Sequence, residues 1–303
     1  MYSGVIGRSE ITQRPTGGEK PLKRKVAFIT GASRGIGAES AVALAAIGYN
    51  VAITARTLTA GESYDHGGHS SSLPGCLEAT AAAVRRAGGQ ALCLQADILE
   101  EDSVVGAAET AIQELGGIDL LFNNAVYQGA GNLESLLDIK RKQLDAIFQG
   151  NIYTPLALVK TALPHMLKQG SGTIINMVSY TSFTNPPASA EQGGWGFAYP
   201  ASKAAIARMV GSLRVEHQGC GLRCFNIEPG TVVTEVMKAA GITSEVLKRY
   251  KPCSAAAIAA VVAWLADNEP PEEWQPEEIL RAPAIAKQLN LLATTSFLES
   301  IYE

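Results

Sequence analysis

Six short apolar runs rich in β-branched residues recur along the chain: Lys25 to Thr30 (KVAFIT), Asn50 to Ala55 (NVAITA), Ala91 to Ala96 (ALCLQA), Ile118 to Asn123 (IDLLFN), Thr173 to Val178 (TIINMV) and Leu222 to Ile227 (LRCFNI). Each is too short and too uniformly apolar for a strand with one wet face, and reads as a strand buried on both faces. Between them lie segments with helical period: Ile36 to Ile47, Leu77 to Ala87, Ser103 to Leu115, Leu136 to Lys168 and Tyr199 to His217. Strand and helix alternate, which predicts an α/β fold: a single-domain, Rossmann-like, doubly wound parallel sheet with helices on both faces. Right-handed crossovers then put any ligand at the C-terminal ends of the strands.

Composition narrows the partners. The net charge is -4 and the Lys and Arg residues are scattered, so neither nucleic acid nor an anionic membrane surface is expected to bind. Five cysteines, an odd number without Cys-x-x-Cys spacing, argue against a disulfide framework or a zinc site and fit a reducing, cytoplasmic setting. No run approaches the roughly 18 apolar residues of a membrane span, and residues 1–22 read as a flexible leader without a signal-peptide core. Residues 23–303 are read as one domain, interrupted by Thr57 to Pro74, rich in Gly, Ser and His, by an insertion at 182–197, and by a variable tail over 268–303. Long loops in a compact domain are usually functional or disordered, and the first two of these follow strand ends, where a ligand would sit.

The first run leads into Thr30-Gly31-Ala32-Ser33-Arg34-Gly35-Ile36-Gly37, which opens a helix. Glycines there let the backbone turn sharply and approach a pyrophosphate, which the amides and positive end of the helix attract. An acidic residue roughly 20 positions later would bond the adenosine ribose of NAD. Here the second strand ends in Ala55 and Arg56. Arg56, with Arg34 in the glycine turn, can pair with a 2′-phosphate, so NADP(H) is favoured and NAD(H) is the alternative.

Tyr199 precedes Lys203 by one helical turn, a spacing that by itself is ordinary. In its setting, the chain resembles the short-chain dehydrogenase/reductase family over residues 25–236. The Thr-Gly-x-x-x-Gly-x-Gly turn matches Thr30 to Gly37. Asp97, followed by Ile98, matches the residue that meets the adenine, and Asn123-Asn124-Ala125-Val126 matches Asn-Asn-Ala-Gly with valine for the last glycine. Asn151, Ser179 and the Tyr199/Lys203 pair match the catalytic asparagine, serine, tyrosine and lysine. Pro229, Gly230 and Thr234, with Val232 between them, match the segment along the nicotinamide. Two departures stand out. Ser179 and Tyr199 are further apart than the family's serine and tyrosine, and the candidate last strand, Glu278 to Ala282 (EILRA), lacks the Val-Asp-Gly-Gly turn that ends many members.

The resemblance implies hydride exchange between a nicotinamide and a carbonyl/alcohol pair. Tyr199 would be the acid/base, with the Lys203 ammonium and the positive nicotinamide ring of the oxidised cofactor together drawing its pKa down from the usual value near 10. Ser179 would bond the substrate oxygen. Asn151, four residues before the ring of Pro155 that disturbs its helical turn, would hold a water linked to the lysine. It also implies a homodimer or homotetramer through residues 136–168 and 199–217. The alternative of a cofactor-binding regulatory or scaffold protein without turnover leaves the full set of four residues unexplained. An epimerase or dehydratase would need a different glycine spacing and a larger C-terminal domain.

Other conspicuous residues read more plainly. Trp195 and Phe197, in the insertion, are candidate walls or a lid of a pocket for a medium-sized, fairly hydrophobic carbonyl substrate, with plain packing as the alternative. Asp65, His66 and His69 lack further ligands nearby, so no metal is expected. Cys220 and Cys224 read as buried thiols, and Glu228 as facing either substrate or solvent.

Overall fold

The computed structural model describes residues 23–65, 70–127, 129–235, 252–274 and 279–292. The leader, His66, His69, Glu278 and the end of the tail lie outside the described residues. Seven strands form one parallel sheet: β1 (Val26–Thr30), β2 (Asn50–Ala55), β5 (Ala91–Gln95), β6 (Leu120–Asn123), β7 (Gly172–Met177), β8 (Leu222–Glu228) and β9 (Ile279–Arg281). Their spatial order, β5-β2-β1-β6-β7-β8-β9, reverses direction between β1 and β6. That reversal opens the crevice in which doubly wound sheets bind ligands.

Alternate residues of each strand feed opposite faces, as the period of two requires. Ala27 and Ile29 of β1, Leu120 and Phe122 of β6, and Phe225 and Ile227 of β8 pack on one side. They meet helices α1 (Gly35–Ala46), α2 (Leu77–Arg86), α7 (Ala255–Asp267) and α8 (Ala282–Gln288). Phe28, Leu121, Ile174 and Cys224 point the other way, onto α3 (Glu101–Leu115), α5 (Thr154–Gln169) and α6 (Ala198–Glu216). Cys224 is buried and Cys220 exposed, so only one of the two thiols expected inside is inside. Position 220 lies in the turn before β8, where the chain has not yet entered the sheet.

Two segments depart from the sequence reading. The expected helix over 136–168 is broken into α4 (Arg141–Phe148), a π-helical turn (Gln149–Tyr153) and α5. Pro155 has no N–H to return to the carbonyl of Asn151, and a wider turn accommodates that loss. The Thr57 to Pro74 stretch, read as a loop, contains an antiparallel hairpin of β3 (Ser63–Asp65) and β4 (Ser70–Ser72). Its Ser and Gly residues carry no apolar alternation, so its sequence gives no strand signal.

Glycine at the first turn is a steric requirement. Gly31 has φ +68°, and a Cβ on Gly37 would lie 2.3 Å from the carbonyl oxygen of Gly31 and 2.7 Å from Asn124 Nδ2. The Asn124 amide donates to the carbonyls of Thr30 (2.8 Å) and Gly31 (3.2 Å), and Thr30 Oγ1 accepts from the backbone N–H of Asn124 and Ala125 (both 3.0 Å). The end of β6 is thus tied to the turn after β1. Gly37→Ala is expected to destabilise the fold by about 2–4 kcal/mol, because both close atoms belong to this lock and cannot recede together. A urea-unfolding midpoint equal to that of the parent would contradict the steric account.

Candidate active site

A cavity of about 670 Å³ runs along the C-terminal ends of the strands. Of the residues anticipated for a dinucleotide, Gly31, Ser33, Arg34, Gly35, Ile36, Arg56, Asp97, Ile98, Asn124, Ala125, Pro229, Gly230, Val232 and Thr234 all line it. Gly37 does not; it is buried behind the turn it permits. Tyr199 and Lys203 line the same cavity. No side chain caps the start of α1 and its first turn holds no acidic residue, so the glycine turn keeps the character of an anion cradle.

At the Tyr199 end the groups are held from several elements. Ser179 does not line the cavity itself, and its Oγ accepts from Thr181 Oγ1 at 3.0 Å and from the Thr181 N–H at 3.3 Å. Lys203 is 2% exposed, donates from Nζ to the Met177 carbonyl at 2.8 Å, and stands 6.0 Å from the centroid of the Tyr199 ring. Asn151, in the π-helical turn, does not line the cavity. Its Oδ1 accepts from the Tyr127 N–H (2.9 Å) and its Nδ2 donates to Ser202 Oγ (3.0 Å), which in turn donates to the Tyr199 carbonyl (2.7 Å). Both ends of its amide are therefore committed to positioning the loop after β6 and the first turn of α6.

Electrostatics correct one expectation. Burial lifts the Tyr199 pKa above its ordinary value; the Ser179 side chain opposes this and the nearby Glu228 carboxylate adds to it. Burial also lowers Lys203 to about 8, so the low-dielectric surroundings penalise the charged forms of both groups. Glu228 is buried, accepts from the Gly230 N–H at 2.8 Å, and is itself shifted upward by burial. It faces the protein interior rather than solvent.

The insertion behaves differently from the reading of it as a pocket wall. Phe197 is 47% exposed, Trp195 is half-buried, and neither lines the cavity. Gly196 lies so close to the 129–138 loop that a Cβ there would stand 2.0 Å from the Glu134 carbonyl oxygen, so the segment is packed outward against that loop. The walls near Tyr199 come instead from Val126, Tyr127, Met177, Val178 and Thr181. Their sequence positions, at the end of β7 and just after β6 and β7, are where a doubly wound sheet presents its ligand face. That rule could have found them.

Arg34 and Arg56 line the opposite end with Thr57. Among the described residues no group of three His, Cys, Asp or Glu could hold a metal ion, and no helix is long and apolar enough to cross a membrane.

A profile of the family described as short chain dehydrogenase matches residues 70–244, more than half of the chain. An uncharacterized oxidoreductase of Methylorubrum extorquens is 30% identical, the match covering 86% of this chain and 97% of that protein. A 3-oxoacyl-[acyl-carrier-protein] reductase of Staphylococcus aureus is 28% identical over 71% of this chain and 77% of its own. The crystal structure of a metagenomic short-chain oxidoreductase in complex with NADP superposes with a TM-score of 0.60 at 28% identity, covering 81% of this chain and 91% of that one.

The Lys203 shift makes a signed prediction. Between about pH 8 and its ordinary 10.5 the unfolded chain binds more protons at this lysine than the folded one, so its contribution to stability rises with pH through that window. Relative to Lys203→Met, the parent is expected to gain about 2–3 kcal/mol of unfolding free energy between pH 7 and pH 10. A difference that stays flat in urea titrations across that range would refute the buried-ammonium assignment.

Proposed function

The chain belongs to the short-chain dehydrogenase/reductase family, and on that premise we propose that this oxidoreductase uses NADP(H) to interconvert a ketone or aldehyde and its alcohol. The observation that carries the reading is a single cavity lined at one end by the glycine turn and at the other by Tyr199 and Lys203. The residues present fit a dinucleotide: the turn has no room for a Cβ at Gly31 or Gly37, and α1 begins without a side-chain cap. Gly31, Ser33, Gly35 and Ile36 would hold the pyrophosphate, Asp97 and Ile98 the adenine, and Pro229, Gly230, Val232 and Thr234 the nicotinamide end. When bound, the nicotinamide supplies or accepts the hydride.

The residues of the chain do the rest. A carbonyl oxygen that gains negative charge needs a proton, and Tyr199, kept in its phenol form at neutral pH by burial, holds one. Ser179 donates to the same oxygen and steadies the charge as it grows. Lys203, still protonated below about pH 8, is the positive group nearest the phenol's own charge when the proton leaves. Asn151 acts as a positioning residue, through Ser202, on the turn that carries Tyr199. The apolar walls at Val126, Met177 and Val178 favour a medium-sized, largely hydrophobic carbonyl substrate. Tyr153 and Leu156, exposed at 50% and 39% around the start of α5, support a homo-oligomer built through these long helices.

Tyr199→Phe is expected to lower kcat for NADPH-dependent carbonyl reduction by roughly 10²–10⁴-fold while NADPH still binds. Turnover equal to the parent on a substrate the parent reduces would overturn the mechanism. Arg56→Ala is expected to raise KM for NADPH by about 10-fold or more with a much smaller effect on NADH, since a charge-assisted contact to the phosphate is lost. A parent enzyme that prefers NADH would overturn the cofactor assignment.

A further inference from the structure

Among the described residues Glu228 is the only buried carboxylate, and it stands at the last position of β8. The period of two along that strand fixes where its side chain points. Cys224 packs with Val210 and Leu213 of α6, and Asn226 Nδ2 donates to the Ala207 carbonyl, nearer the start of the same helix. Glu228, two positions on, shares their face. A strand advances roughly 6.6 Å over two residues and a helix covers that distance in about four, so the carboxylate comes level with Lys203 and the turn that carries Tyr199. The backbone agrees: the Val178 N–H donates to the Ile227 carbonyl at 2.9 Å, which brings Glu228 alongside Val178, one residue before Ser179.

From there the carboxylate reaches two parts of the site. Its Oε1 accepts from the Gly230 N–H at 2.8 Å, and Gly230 belongs to a strap, residues 229–232, that lines the cavity. The strap is also stitched to Cys253, whose N–H donates to the Thr231 carbonyl at 2.9 Å and whose Sγ donates to the Pro229 carbonyl at 3.3 Å. The second part is Tyr199. Lys203 Nζ stands 6.0 Å from its ring centroid, the Ser179 side chain favours the phenolate, and the Glu228 carboxylate opposes it. Around Glu228 itself, Arg281 lies opposite in register on β9, turns its guanidinium over the Tyr180 ring at 5.6 Å from the centroid, and favours the charged carboxylate through space. The Cys253 thiol, raised to about 11 chiefly by burial, stays neutral at physiological pH.

We propose that Glu228 is a positioning residue of the hydride-transfer site: its carboxylate ties down the 229–232 strap through Gly230 and sets a negative charge beside the Tyr199 phenol. That charge keeps on the phenol the proton that carbonyl reduction consumes. The role rests on the oxidoreductase reading. Tyr199 is one of nine tyrosines, so its ionisation is read as an ultraviolet difference titration of each protein against the same protein carrying Tyr199→Phe. Glu228→Gln removes the charge, keeps an oxygen that accepts from Gly230, and is expected to lower the Tyr199 midpoint by about one pH unit. Glu228→Leu is equally uncharged but has no acceptor, and is expected to bind NADPH about tenfold more weakly than Glu228→Gln in calorimetry. The glutamine variant is nearly isosteric, so the titration decides the proposal even where the leucine variant does not fold. A midpoint that stays or rises in Glu228→Gln, in a parent that reduces carbonyls, overturns the role of the Glu228 charge alone, and equal NADPH affinity of the two variants overturns the tie to the strap. A parent that reduces no carbonyl with NADPH or NADH overturns the oxidoreductase reading and this role with it.

Discussion

A row of three buried asparagines seats the helix on which the chemistry depends. Asn123 of β6, Asn176 of β7 and Asn226 of β8 lie opposite one another in register across the sheet. Asn123 Nδ2 donates to Asn176 Oδ1 at 2.9 Å, Asn176 Nδ2 reaches the Ile206 carbonyl at 3.4 Å, and Asn226 Nδ2 donates to the Ala207 carbonyl at 2.8 Å. Apolar packing alone would hold α6 against the sheet but would tolerate sliding, because the hydrophobic effect is not directional. Amides in a dry interior tolerate much less, since an unmade bond there costs the desolvation of the group. The position of α6 along the strands follows, and with it that of Tyr199 and Lys203 beside the end of β7.

The same dryness sets the electrostatic character of the site. A lysine at 2% exposure and a buried carboxylate at Glu228 are costly to keep charged, and the fold retains both within reach of a phenol. Lys203 donates one hydrogen bond to the Met177 carbonyl, at the last residue of β7. A tyrosine whose proton is held firmly suits a group that must deliver it to a developing alkoxide. The local cost in stability is of the kind that functional sites accept and the surrounding core offsets.

The two ends of the cavity are built by different logic. The glycine turn and the Tyr199 end rest on strands, helices and buried amides, all integral to the sheet. At the other end, Arg34 meets the Pro74 and Gly75 carbonyls and Arg56 lies over the Tyr64 ring, all contacts to a segment outside the sheet. A segment of this kind can vary without disturbing the scaffold.

Much of this was legible in the sequence. Strands buried on both faces must be nearly all apolar, so the six runs located six of the sheet's seven strands to within a residue or two, and the weaker EILRA run located β9. Helix α7 escaped notice because a run such as AAAIAAVVAWLA is apolar all round and shows no amphipathic period. The glycine turn, Tyr199 and Lys203 were found because their chemistry demands particular residues at particular spacings. Asn176, Asn226 and Thr181 were not, since what each does depends on which residue it faces in the fold. Trp195 and Phe197 were assigned to the cavity by proximity to Tyr199 in the chain, yet neither lines it, and Gly196 between them packs against the Glu134 carbonyl. The sequence by itself determined the order of the elements and the chemical groups available, because periodicity and residue type are local properties. Only the tertiary structure decided which groups meet, how far burial shifts their protonation, and that a segment outside the sheet meets two arginines at one end of the site, because contact, desolvation and charge proximity exist only once distant segments pack together.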